Sequence, residues 1–181
     1  MIGPPSSLPE KYRYVYEGLS GDNTGGYFIG PGVDLSGARL TNLSTSGNNI
    51  YNLDGVYLTD ANITNANFSG SSMKNVKSGG IVGVPQALPS NFAFVVSASG
   101  GYLIGPESDL QNANLNDVVL TGMNITQADL SGATFINTRS GGLVGPPRTL
   151  TGGYYFVQRP GTGVGTGIAP DAYILGPGVN L

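Results

Sequence analysis

Between Ser108 and Phe135, large apolar residues stand five apart: Leu110, Leu115, Leu120, Ile125, Leu130 and Phe135. Two positions before each comes a mostly small or apolar residue: Ser108, Ala113, Val118, Met123, Ala128 and Ala133. The position between is polar in all but one case: Asp109, Asn114, Val119, Asn124, Asp129 and Thr134. An amphipathic helix repeats every 3.6 residues and a half-buried strand every two, so neither fits. Wound as a helix, residues five apart would drift by about 140° per step and never form one apolar face. A chain that turns a corner every five residues brings the same two side chains inward each time, and each coil buries the face of the next. The pattern predicts a solenoid.

The pentad A-(D/N)-L-x-x, written here as Ala113-Asn114-Leu115, Ala128-Asp129-Leu130 and Ala61-Asn62-Ile63, resembles the pentapeptide-repeat family. The resemblance implies an all-β fold: right-handed, four-sided β-helix segments with one pentapeptide per side. It places Leu110, Leu115, Leu120, Ile125, Leu130 and Phe135 in an inward stack, with Ala113, Ala128 and Ala133 beside them. In the earlier array, Leu58, Ile63 and Phe68 take the same role. A fold alone names no function.

A longer repeat lies over the pentads. An apolar-apolar-Gly-x-Pro-x-x-Leu signature begins at Met1, Ile81 and Leu143, and an aromatic-rich run follows each time. Then come Gly25-GYFIGPGVDL, Gly100-GYLIGPESDL and Asp171-AYILGPGVNL. The β-branched and aromatic runs Phe92–Val96 and Tyr102–Ile104, joined by Ser97-ASGG, predict β-hairpin-like Gly/Pro-rich connectors between arrays. Residues 1–80 form a first module with pentads at about 33–75, residues 81–142 a second with pentads at 108–137, and residues 143–181 the truncated start of a third. In module one the register slips by three, which puts Leu43 in the later phase with Leu53 and predicts a bulge from Leu43 to Tyr51. Module three carries an extra Gly/Thr loop at 161–167.

Composition supports tight corners. Of 181 residues, 30 are Gly and only 10% are charged, so polarity rests on Asn, Ser and Thr. Gly and Asn accept positive φ at little cost. Hydrophobic content of 39% in register can bury a core, and a net charge of −3 is too small to favour disorder. Cysteine and histidine are absent, which excludes disulfides, Cys or His metal sites, and Ser–His–Asp or Cys–His catalysis. Eight basic residues, scattered singly, give no stripe for nucleic acid. No apolar run is long enough to span a membrane, and the start of the chain has neither the basic nor the apolar part of a secretion signal. Both ends fall inside a module, so the expectation is a piece of a longer array, or ends covered by neighbouring chains.

Candidate chemistry is sparse. Asp34, Asp109 and Asn180 stand at one place before each array, where calcium is conceivable but corner hydrogen bonding is the simpler reading. Eleven scattered acids suggest no glycosidase-like pair, so neither catalytic residue, cofactor nor metal is assigned. Sequons at Asn42, Asn62, Asn67 and Asn124 follow from the repeat itself. Tyr12, Tyr14, Tyr16, Tyr154 and Tyr155 form a candidate interaction surface, with strand packing as the plainer role. A gyrase-binding DNA mimic, known in the family, would need a long acidic rod, which this chain lacks. The combination of SGG-[IL]-V-G-x-P, GGY-[FL]-IGP and short arrays is similar to repeats in structural proteins of large DNA viruses and phages and in bacterial surface proteins. The expectation is a non-enzymatic virion scaffold that contacts other copies or neighbouring structural proteins at open solenoid ends. A secreted surface filament or adhesin is the alternative.

Overall fold

A computed structural model describes residues 7–16, 26–44, 51–159 and 172–180. These are all-β, with no helix among the described residues and so none able to cross a membrane. The chain divides into two compact units, Met1–Ser90 and Asn91–Leu181. The IVGVPQALP signature, placed by sequence at the head of module two, pairs with the first unit: Val82 bridges Asn62 and Ala87 bridges Asn67. Sequence repeat and compact unit are therefore offset. The loop expected at 161–167 lies outside the described residues.

In the second unit the chain returns beside itself every twenty residues. Parallel bridges join Asp109 to Asp129, Asn114 to Thr134, Val119 to Arg139 and Asn124 to Val144. The Asp129 bridge widens into a short parallel pair, β5 (Asp129–Leu130) with β6 (Thr149–Leu150). Each bridging residue uses both backbone groups across the circuit. The Asp129 amide donates to the Ser108 carbonyl at 2.9 Å, and its own carbonyl accepts from the Leu110 amide at 2.9 Å. Thr134 and Arg139 repeat the arrangement one and two sides on.

Corners follow from the same five-residue period. The amide of each small inward residue donates to the carbonyl of the preceding large one, as from Ala113 to Leu110 at 3.1 Å and from Ala128 to Ile125 at 3.0 Å. Such a turn needs a left-handed residue two places after the large one. Asn112, Asp117, Gly122, Gln127, Gly132 and Asn137 all have φ between 59° and 73°, apart from Asn137 at 57°. Asn and Gly bear that conformation most cheaply.

The turns aim the large residues inward. Leu110, Leu115, Leu120, Ile125, Leu130 and Phe135 are at most 1% exposed, and Ala113, Ala128 and Ala133 are buried beside them. Two antiparallel hairpins join this core. β3 (Ala93–Ser97) pairs with β4 (Gly100–Ile104), and β7 (Tyr155–Gln158) with β8 (Ala172–Leu175). Val95, Tyr102 and Ile104 from the first, and Ala172 and Ile174 from the second, pack into the apolar stack. The Tyr102 hydroxyl accepts the Asn114 amide at 3.1 Å. In this first circuit of the unit, a side chain thus satisfies an amide of the kind that later circuits pair with backbone.

The first unit is built alike, around Leu53, Leu58, Ile63, Phe68 and Met73. Its hairpin, β1 (Arg13–Tyr16) with β2 (Gly26–Ile29), supplies Tyr27, whose hydroxyl accepts the Arg39 amide at 3.2 Å. Its later bridges span twenty residues, as from Asn52 to Ser72. The earlier ones span 23: Asp34 to Tyr57, Arg39 to Asn62 and Ser44 to Asn67. This corrects the phase given to Leu43. Ser44 still bridges in the first phase, so Leu43 fills the small inward position after Leu40, to whose carbonyl its amide donates at 3.2 Å. Ser44 and Asn52 stand eight residues apart where their partners Asn67 and Ser72 stand five apart; the bulge expected from Leu43 to Tyr51 falls on residues 45–50, which lie outside the described residues.

Two stability outcomes follow. Ser71 stands at the small inward position, and its buried hydroxyl finds no partner among the described residues. Ser71→Ala should stabilise by about 1 kcal/mol in denaturant titration, since an unpaired buried hydroxyl costs on that order; a lower midpoint would show that the hydroxyl is satisfied. Leu120→Asp should cost more than about 3 kcal/mol by burying a charge in the stack. Unchanged thermal stability would refute the inward register.

Candidate functional site

Outside the stack, the Asp and Asn side chains at the bridging position serve the backbone. The Oδ1 atoms of Asp34, Asn52, Asn62, Asn67, Asp109, Asn114, Asn124 and Asp129 each accept the amide two residues ahead, at 2.9–3.1 Å. These Asx turns lock the corner that follows. The hydroxyl and amide of Ser36 hold the Asp34 carboxyl below its usual value. Asn180 bridges Arg139 and donates its side-chain amide to the Asn137 carbonyl at 3.4 Å. Among the described residues, no three His, Cys, Asp or Glu gather as metal ligands. Three of the four sequons are the same turns: Asn62, Asn67 and Asn124 bond within their own triplets, while Asn42 is a left-handed corner residue at φ 57°.

Asp129 does more than close its own turn. It is 6% exposed, and its carboxylate gathers donors from three successive circuits. Gln111 Nε2 donates to Oδ2 at 2.9 Å from the circuit before, and Ser131 donates its hydroxyl to Oδ1 at 2.7 Å. From the circuit after, the Thr149 hydroxyl donates to Oδ1 and Arg148 Nη2 pairs with Oδ2 at 3.2 Å. Burial pushes this carboxyl up, but the bonds from Thr149, Ser131 and Gln111 outweigh it and leave the group well below the usual carboxylate range. Nothing in the sequence separated Asp129 from its Asx neighbours, because Arg148 and Thr149 lie outside the clean pentads. The arrangement is a clamp with every acceptor engaged, not a poised acid or base.

The tyrosines divide. Tyr154 packs on Phe135 with ring centroids 5.0 Å apart, lies against Gly176 and donates its hydroxyl to the Pro177 carbonyl at 3.1 Å. Tyr12 lies against Gly30 in the same way, and its hydroxyl reaches the Pro31 carbonyl at 3.3 Å. Both take part in the fold's own packing, the plainer of the two roles expected of them. Tyr14 contacts Phe28 edge-on at 5.3 Å, and Tyr155 is 68% exposed. The Tyr16 side chain lies outside the described residues.

A groove of about 390 Å³ opens in the second unit, where the start of the β3–β4 hairpin meets one corner of the stack. Phe92, Met123 and Val144 line it with the amides of Asn91 and Asn124, and no ionisable side chain is among its walls. It offers contact and hydrogen bonding to an uncharged group.

A profile of the family described as pentapeptide repeats matches eight copies, over residues 52–77 and 107–139. The chain carries pentapeptide repeats. No curated relative matches it. The match ends at residues 77 and 139, yet in each unit the bridging runs on, to Ala87 and to Thr149. Those later repeats carry Ser78, Gly83, Ser140 and Gly145 where a large apolar residue is expected.

The Asp129 clamp gives a pH outcome. A carboxyl lowered by folding stabilises above its ordinary value, near 3.8, and loses that contribution as pH falls through and below it. Asp129→Asn should cost about 1–3 kcal/mol at neutral pH. It should also flatten the loss of thermal stability below about pH 4. Parallel losses in both proteins between pH 5 and pH 2 would mean that Asp129 does not govern acid sensitivity.

Proposed function

We propose that this pentapeptide-repeat chain is a non-enzymatic structural protein, a virion component of the capsid, fibre or tail, acting through protein–protein contacts. Its arrays are taken as right-handed four-sided β-helices: four corners in each twenty-residue circuit support the four sides, and the family supports the hand. The observation that carries the reading lies on the outer faces. Val82, Val119 and Val144 occupy bridging positions and are each more than half exposed. An Asp or Asn there would close the corner with a hydrogen bond, which valine cannot make. Exposed apolar side chains that forgo a structural bond suit burial against another protein.

The paired variant Val119→Lys/Val144→Lys tests this. The wild-type chain should form higher oligomers in sedimentation velocity and occur in purified particles by mass spectrometry. The double variant should sediment as a smaller species with its thermal stability kept. A monomeric wild type, indistinguishable from the variant and missing from particles, would overturn the reading. The exposed ring of Tyr155 favours a second role as a surface adhesin, which glycan binding lost on Tyr155→Ala would reveal.

A further inference from the structure

Ser140 stands where the pentad rule calls for a large apolar residue, and it is 3% exposed. Its hydroxyl is engaged on both sides by one residue of β8. It donates to the Ile174 carbonyl at 2.9 Å and accepts the Ile174 amide at 3.2 Å. Those backbone groups point away from β7, as those of alternate residues in an antiparallel pair do. Two residues earlier on β8, the Ala172 carbonyl accepts the Leu143 amide at 3.1 Å. Between these contacts, a Cβ added to Gly141 would lie 3.5 Å from the Tyr173 ring, so a longer side chain there would meet the ring. Ala172 and Ile174 are fully covered.

The seating continues past β8. The Asn137 amide donates to the Gly178 carbonyl, the Asn180 amide to the Thr138 carbonyl at 2.8 Å, and the Ser140 amide to the Asn180 carbonyl at 3.2 Å. Asn180 thereby bridges Arg139 as Arg139 bridges Val119.

We propose that Ser140-Gly141-Gly142-Leu143 is a docking seat that joins one repeat module to the next. Its partner is the second strand of a module hairpin, of pattern small-Tyr-apolar-apolar-Gly, here Ala172-Tyr173-Ile174-Leu175-Gly176. Serine reads the strand's backbone, Gly141 leaves room for its tyrosine, and Leu143 meets its small residue. The residue types of the seat recur at Ser78, Gly79, Gly80 and Ile81. Those of the strand recur at Gly26-Tyr27-Phe28-Ile29-Gly30 and at Gly101-Tyr102-Leu103-Ile104-Gly105. The serine is therefore a specificity determinant for seating that strand and not a degraded pentad. This holds whether or not the chain belongs to a virion.

The two views of Ser140 predict opposite results for Ser140→Leu in the full chain. A degraded pentad would be repaired by leucine, raising Tm and leaving amide exchange across 172–180 unchanged or slower. A seat would be blocked: Tm should fall, and amides in 172–175 should exchange at least about tenfold faster while those of 110–135 keep their protection. A rise in Tm with intact protection at Ile174 overturns the proposal. Should the leucine variant fail to fold, Ser140→Ala decides. The seat requires the Ile174 amide to exchange about five- to tenfold faster in it, on the scale of one hydrogen bond. Exchange equal to wild type there would also overturn the proposal.

Discussion

The pentad arrays depend on bridging residues whose backbone groups cannot be satisfied locally. Each side is too short for a ladder of its own. The amide and carbonyl of a bridging residue find partners only when the chain returns in register, one circuit later. Bonds from Asp129 to Ser108, and from Leu110 to Asp129, exist because four corners have each consumed five residues. A corner that lost its left-handed residue would misplace every bridge after it. The burial of Leu110 or Phe135 therefore depends on Asn112 and Gly132 as much as on apolar character. Hydrophobic burial supplies the main driving force, and corner geometry decides that this force yields one structure.

The same constraint explains which irregularities are tolerated. Three extra residues between Ser44 and Asn52 lengthen one circuit of the first unit, and the bridges on either side stay in parallel register. In the first circuit of each array, the Tyr27 and Tyr102 hydroxyls satisfy the Arg39 and Asn114 amides. Ser140 likewise serves a strand arriving from outside the pentads.

What the sequence discloses tracks what the period controls. The inward residues were legible because a five-residue repeat of large side chains has few other solutions. Leu43 misled because leucine suits either inward position, and only the Ser44 bridge separates the two phases. The arrays run further than the pentads suggest, because backbone pairing tolerates Ser78 or Gly145 where pattern matching expects leucine. Tyr12 and Tyr154 look like Tyr155 in the sequence, but the first two face Gly30 and Gly176, whose missing side chains make room for a ring. Asp129 has the local sequence of an ordinary Asx turn. Its buried clamp arises from Gln111, Arg148 and Thr149, each eighteen to twenty residues away.

Stacking also accounts for the low charge. A residue at a bridging position has its counterpart about 4.8 Å away in the next circuit, so a charge repeated there faces its own kind. Asp109 and Asp129 occupy such a column, and the inner of the two is surrounded by four donor side chains. Asn, Ser and Thr close the corners without that repulsion, which is why polarity here comes from amides and hydroxyls. A surface made this way has little long-range field with which to steer a partner. What such a surface offers a neighbouring molecule is close fit of apolar and amide groups, an interaction with weak dependence on salt.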